Sequence, residues 1–286
     1  MSKIPEIKID NWEMLQNLIG SIHPINTGVR ELGLVINTDH QMSEDGYVFR
    51  GQQNPEWKLS STLERHFDDN DVFASDDYAN RCSDLLSKYK PLFRGRITEQ
   101  HLLVDDRFDD ELWAFGQHYD LKTPLLDWSY SFFVALYFAF IDQTNHSYRA
   151  VFVLNRNMSS FVNTIKYFEP KLDIGGRLNA QKGLFTKNLT KDFENLNEIY
   201  SKSLSSIGNG VVSDEQFNFP CQDQGEGFVF NVPICKVLIA SELREEILTF
   251  LNILNVNGFT LFPDTKGLVT QCHLELENMI THLKSA

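Results

Sequence analysis

The rhythm of hydrophobic and polar positions changes several times along the chain, and each change marks an element. Trp12, Leu15, Ile19 and Ile22 recur at near-helical spacing behind Asp10 and Glu13, which fit a helix-start box, so a short helix is expected to end near Gly20. In YVFRG (47–51) aromatic and β-branched residues run into an Arg-Gly turn, which reads as a strand with Arg50 at its end. Residues 58–115 read as mostly helical: LSSTLERHF, then YANRCSDLLSKYKPLFRGRI, then a helix through Glu111, Leu112, Trp113 and Phe115. The acidic stretch DDNDVFASDD (68–77) reads as a solvated loop.

The middle of the chain is different in kind. GQHYDLKTPLLDWSYSFFVALYFAF (116–140) passes from a polar turn through Thr123-Pro124 into a helix that is apolar nearly all round, hence a buried helix. YRAVFVLNR (148–156), FVFNVPI (228–234) and KVLIA (236–240) read as core strands, and LNAQKGLFT (178–186) as a further one within the polar region 157–227. Ser241 can cap a helix with Leu243, Ile247, Phe250, Leu251 and Leu254 on one face, ended by Gly258. FTLF (259–262) reads as extended, and Pro263-Asp264 opens a last helix with Leu268, Cys272, Leu276, Met279 and Leu283 expected to face inward.

This order of elements, without repeats or linkers, predicts an α+β fold: a single mixed domain with a central β-sheet, a buried helix and a helical insertion. Its expected parts are a lead-in helix region at 1–46, a main body at 47–270 with the insertion at about 58–115, and the end of the last helix at 271–286, all one structural unit.

Composition narrows the function classes. The 286 residues are 42% hydrophobic, enough for a substantial core, and the net charge of −13 repels polyanions, so no extended nucleic-acid surface is expected. Cys82, Cys221, Cys235 and Cys272 lack the spacing that grips zinc, so structural or free thiols and no metal site are expected. The start MSKIPEIKID has no apolar signal core, and FFVALYFAF (132–140) is too short to span a bilayer. A cytoplasmic protein with no membrane association is the expectation.

Candidate chemistry gathers around the buried helix. A helix start carries outward N–H groups and a positive dipole end, so Asp127, Ser129 or Ser131 can serve as its N-cap, or the corner can bind phosphate or carboxylate. Arg50 is the cation that would complete such a site by bidentate pairing, unless it pairs with Asp127 in a sealed core. His118 beside Gln117 can act as a general acid or base, or be a hydrogen-bonded structural residue. The second copy of the tripeptide, Phe93-Arg94-Gly95, is flanked by Lys90 and Arg96 and reads as an exposed basic helix face. VDDRFDDE, with Asp105, Asp106, Asp109 and Asp110, reads as an acidic loop, and a carboxylate-based hydrolase built on it is the least supported class.

Phe49-Arg50-Gly51-Gln52 with Trp57 and Leu59, then Gln117-His118-Tyr119, Thr123-Pro124-Leu125-Leu126-Asp127-Trp128-Ser129 and Val134-Ala135-Leu136-Tyr137-Phe138-Ala139, resemble the FRG domain family. Arg177, Ala180-Gln181, Gly183 and Phe185 resemble a further segment of it, as do Leu261-Phe262-Pro263-Asp264 with Gly267-Leu268, so the resemblance runs from about 47 to 270. It implies a prokaryotic protein with a defence or toxin role.

VFRGQ followed by DWSYSFFVALYFA is also similar, in the same order, to arginine-class ADP-ribosyltransferases, which hold NAD phosphate with a strand arginine and lead from a Ser-rich strand into a helix. That similarity implies NAD as cofactor, and the residues singled out take two roles: Arg50, Gln52, Gln117, Thr123, Ser129 and Ser131 as ligand-binding, and His118, Asp127 and Gln181 as catalytic. Gln181 stands where those enzymes carry a glutamate, so either Asp127 or Glu226 supplies the charge, or the pocket binds a nucleotide without transfer. The leading expectation is an NAD- or nucleotide-utilising enzyme with an unspecified acceptor, protein, nucleic acid or water. The alternative is a non-catalytic module that senses a nucleotide or another anionic ligand.

Overall fold

The computed structural model describes residues 4–22, 46–70, 78–156, 165–189 and 234–285. Its strands are β1 (Glu6–Ile9), β2 (Tyr47–Gln52), β3 (Leu125–Ser129), β4 (Tyr148–Asn155), β5 (Ile165–Phe168), β6 (Gly183–Asn188) and β7 (Ile234–Ala240). Its α-helices are α1 (Trp12–Ile22), α2 (Thr62–Asp68), α3 (Tyr78–Phe93), α4 (Asp109–His118), α5 (Phe132–Phe140), α6 (Arg177–Ala180), α7 (Arg244–Ile253), α8 (Gly258–Leu261) and α9 (Thr265–Ser285). The fold is thus a mixed α/β one. The described residues fall into two compact units, one within Met1–Trp57, Ser129–Phe161 and Tyr200–Ala286, the other within Lys58–Trp128 and Val162–Ile199.

In the first unit the strands run β1-β7-β4-β2, with β1 parallel to β7 and the other neighbours antiparallel. Every residue of β4 after Tyr148 is buried, as the apolar run Ala150–Leu154 predicts for a central strand, and Arg149 and Asn155 at its ends are buried with it. Helix α5 is buried at seven of its nine residues, and Phe132, Leu136 and Phe140 join Phe49, Val151, Val153, Val237 and Ile239 in one core. Each such side chain is stabilising by about 1.5–3 kcal/mol through removal from water. Leu15 and Leu18 of α1 enter the same core.

A wholly apolar helix cannot cap its own C-terminal carbonyls, and two arginines do so here. Arg149 Nη1 donates to the carbonyls of Ala139 (2.8 Å) and Asp142 (2.6 Å). Arg244 donates from Nε to Phe140 (3.0 Å) and from Nη2 to Ile141 (2.7 Å). Both cations complement the negative end of the helix dipole. Burial, and then the neighbouring charge of Arg244, pull the Arg149 guanidinium down to about 10.

Several sequence expectations change in this unit. The α1 cap is Asn11, whose Oδ1 accepts from Met14 N at 2.9 Å, while Asp10 accepts from the Tyr148 hydroxyl at 2.7 Å. Of FVFNVPI only Ile234 is described, as the first residue of β7. Ser241 opens a 3-10 turn and makes no cap, and α7 ends before Asn255, which takes the left-handed conformation (φ 61) in place of Gly258. The first three residues of FTLF are helical, because Asn257 caps α8 through the N–H groups of Phe259 and Thr260. The residues expected to line the inner face of α9 are exposed, Leu268 at 48%, Leu276 at 49%, Met279 at 54% and Leu283 at 70%, with Cys272 also exposed.

The second unit holds β3, β6 and β5 in that order, with β5 antiparallel to β6. Trp113, Leu112, Leu86, Leu102, Leu125 and Phe185 form its core. The expected helices between 58 and 115 are present as α2, α3 and α4, whereas 178–186 divides into the end of α6 and the start of β6. VDDRFDDE is not a free acidic loop: Asp110 is buried between Lys166 (2.5 Å) and Lys187 (2.6 Å), and Lys90 bridges Asp106 and Asp109, each at 2.7 Å. The second tripeptide ends α3 at Phe93, and Gly95 (φ 69) permits the left-handed turn that follows, with Arg94 exposed.

Candidate functional site

Strand pleating gives each residue of Phe49-Arg50-Gly51-Gln52 a separate task. Phe49 points into the core and meets Phe132 edge-on at 5.6 Å between ring centroids. Gly51, on the same side, lies against the backbone of α5: a Cβ there would come 1.9 Å from the Ala135 carbonyl oxygen and 2.7 Å from Ala139 N. Arg50 and Gln52 alternate to the opposite face, where Arg50 is half-buried and Gln52 is 5% exposed. Their cross-strand partners on β4 are Phe152 and Ala150.

Phe49 also pairs antiparallel with Ser129, the last residue of β3. Ser129 Oγ accepts from Ser131 N at 3.0 Å, and Ser131 Oγ accepts from Val134 N at 3.4 Å. Of the three possible caps for α5, Ser131 is therefore the one in use. Tyr130, between the serines, receives a hydrogen bond from Arg156 Nη1, and the guanidinium stands 5.4 Å from its ring centroid. The sequence reading passed over Arg156 because it closes an apolar strand; the same strand-end placement that singled out Arg50 would have found it.

In the second unit, Asp127 lies on β3 with an exposed side chain between buried Leu126 and Trp128, not at the helix start and not sealed in a core. Its Oδ1 accepts from Gln117 Nε2 at 2.7 Å. The amide of Gln117 is oriented by Thr123, whose hydroxyl donates to Gln117 Oε1. Thr123 is fully buried, and its own N–H donates to Thr62 Oγ1 at 3.0 Å. The chain of bonds from Thr123 through Gln117 to Asp127 presents a carboxylate in a fixed direction to solvent. Trp128 is anchored beside it by its indole N–H, which donates to Thr186 Oγ1 at 2.9 Å.

The other two candidates of this unit are placed differently. His118 closes α4, meets Tyr119 edge-on at 5.0 Å, and faces Gly175, where a Cβ would come 3.1 Å from its Cε1. Gln181 is not on a strand: it caps the end of α6, its N–H donating to the Arg177 carbonyl at 2.9 Å. Glu226 lies outside the described residues.

Among the described residues no cluster of three or more His, Cys, Asp or Glu side chains could hold a metal ion. None of the described helices is long and apolar enough to cross a membrane. Cys82 and Cys235 are buried free thiols, and Cys221 lies outside the described residues. The chain finds no significant match among curated proteins or among solved structures. The segments at 177–185 and 261–268 that resemble later family motifs lie beyond the stretch that a family model matches. That stretch, residues 45–148, contains the Phe49-Arg50-Gly51 strand and the β3–α5 corner together, and it matches the FRG domain: the chain carries an FRG domain.

Proposed function

We propose that the protein uses a nucleotide, NAD in the first instance, in the manner of an ADP-ribosyltransferase or NAD glycohydrolase, with Arg50 as the phosphate-binding residue. The observation that carries this reading is the pairing of Phe49 with Ser129. It sets the arginine-bearing strand directly beside the strand end that leads through Ser131 into α5, the element order that the resemblance implies. Packing against α5 accounts for Phe49 and Gly51, while Arg50 faces the other side of β2 with Gln52. A guanidinium with a carboxamide on the same strand face is a donor set that fits phosphate oxygens.

NAD would supply a ribose–nicotinamide bond whose cleavage builds positive charge on the sugar. Within the second unit, Asp127 is charged, exposed and held in one direction by Gln117, whereas Gln181 carries no charge. Ser129 and Ser131 serve the backbone around the start of α5, so their part is to shape the corner.

The test is nicotinamide release from NAD by purified protein, with Arg50→Ala as the control. Turnover by wild type that Arg50→Ala abolishes while its circular dichroism stays native supports the reading. A protein that neither binds nor cleaves NAD overturns it. Binding without release moves the assignment to ligand sensing, which the uncharged Gln181 at the end of α6 favours.

A further inference from the structure

In the second unit, every polar group of Thr123 is committed to a partner. The residue is fully buried, its N–H donates to Thr62 Oγ1 at 3.0 Å, and its carbonyl accepts from Leu63 N at 3.1 Å and from the Thr62 hydroxyl at 3.4 Å. Its own hydroxyl donates to Gln117 Oε1 and accepts from Leu125 N at 3.3 Å. The backbone of Thr123 is thus held by the first turn of α2, while its side chain holds the amide that donates to Asp127 Oδ1 at 2.7 Å. Thr62 and Thr123 lie 61 positions apart in the chain.

The start of α2 is fixed independently of this clamp. Ser61 Oγ accepts from Glu64 N at 3.1 Å, and Glu64 Oε2 accepts from Ser61 N at 2.6 Å. Neither bond uses the Leu63 N–H, one of the groups that a helix start leaves without an intrahelical partner, and the Thr123 carbonyl takes it. At the other end of the polar turn, Tyr119 N and Leu121 N both donate to the Gly116 carbonyl at 3.0 Å, and Asp120 takes the left-handed conformation (φ 63). Those bonds close the turn on α4, and the bonds of Thr123 close it on α2.

We propose that Thr62 is a positioning residue for Asp127: by holding the Thr123 backbone it sets where the Thr123 hydroxyl sits, and through Gln117 the direction of the Asp127 carboxylate. Its weight for turnover rests on the nucleotide reading above. In a buried network whose members are all satisfied, no group can turn without leaving another unpaired. Removing the Thr62 hydroxyl leaves the buried Thr123 N–H without its acceptor, so Thr123 must shift to regain one, and the amide and carboxylate beyond it shift too. A misplacement of about 1 Å in a group that acts on a substrate can slow a reaction on the order of a hundredfold.

The experiment reads the Gln117 side-chain amide by NMR in the full chain, without nucleotide. Thr62→Val keeps the shape of the side chain and removes the hydroxyl, Thr62→Ser keeps the hydroxyl, and Ser61→Ala weakens the start of α2 while leaving the bonds between Thr62 and Thr123. Solvent exchange of the Gln117 Nε2 protons is expected to quicken by at least about tenfold in Thr62→Val and to stay near the wild-type rate in Thr62→Ser and Ser61→Ala. Unchanged exchange in Thr62→Val overturns the proposal. So does equal loosening in Ser61→Ala, which would make the effect a general fraying of α2. If Thr62→Val does not fold, wild type in low urea decides: the Thr123 N–H and the Gln117 amide should open together with one dependence on urea, and separate openings overturn the link. Where wild type cleaves NAD, Thr62→Val is expected to lower kcat by about tenfold with KM within about twofold, and an unchanged kcat overturns the positioning role. Because the amide is read without nucleotide, a protein that ignores NAD fails the nucleotide reading alone, and the exchange rates still decide the link from Thr62 to Asp127.

Discussion

Gly51 lies so close under α5 that a Cβ would stand 1.9 Å from the carbonyl oxygen of Ala135. The obstructing atom is backbone inside a helix buried at seven of nine residues, so it has no room to retreat. This relationship divides the tripeptide by strand face: Phe49 and Gly51 fix where α5 sits, and Arg50 lies on the opposite face of β2.

Gly51→Ala is therefore expected to destabilise the fold by about 3 kcal/mol or more, the upper end of overpacking costs, since strand and helix must separate. Urea denaturation measures it. A midpoint equal to that of wild type would mean that α5 can shift without cost.

The Thr123–Gln117–Asp127 chain yields a contrast between neighbours. Gln117→Leu strips the partner from the buried Thr123 hydroxyl and is expected to cost about 1–3 kcal/mol of stability. Asp127→Asn changes an exposed group and should move stability by less than about 0.5 kcal/mol. If Asp127 acts on a ligand, the same substitution removes nucleotide turnover or binding. Thermal melts read beside isothermal titration with NAD separate the two effects, and an Asp127→Asn protein with wild-type titration would remove Asp127 from the site.

Glu64 supplies a pH dependence. It is 3% exposed at the start of α2, where its carboxylate accepts from Ser61 N at 2.6 Å and Ser61 Oγ accepts from Glu64 N at 3.1 Å. Burial pushes its carboxyl up to about 7, against the lowering effect of the hydrogen bonds from Ser61 and Asn188. Because the folded value lies above the ordinary one of 4.5, the folded state binds this proton more tightly than the unfolded chain does. The resulting stability is fully present below about 4.5 and is lost as pH rises through about 7. Relative to Glu64→Gln, which keeps the acceptor and cannot titrate, wild type should lose on the order of 3 kcal/mol between those limits. Urea titrations of both proteins at several pH values check this, and parallel pH curves would contradict it.

How much of this was legible in the sequence depends on what kind of signal each element carries. Helix α5 and the run Ala150–Leu154 of β4 were legible because both are apolar without a polar side, which marks them as buried. The FRG motif was legible because each of its blocks, such as Phe49–Gln52 and Thr123–Ser129, is contiguous. Cap identities were less so: Asn11, Ser131 and Asn257 each compete with a neighbouring polar residue for the same N–H groups, and backbone geometry decides among them by one or two positions.

What the sequence by itself determined is which residues share a face: the apolar positions of α9, the alternation in β2 and the apolar ring of α5 all follow from spacing. Only the tertiary structure decided what each face meets. Gly51 meets the backbone of α5, Asp110 meets two lysines, Asp127 is turned to solvent by Gln117, and Leu268, Leu276, Met279 and Leu283 of α9 are exposed among the described residues. The physical reason is that periodicity is set by local backbone geometry, whereas the partner of a face is set by contacts between residues far apart in the chain, such as Lys187 with Asp110, which no local pattern encodes.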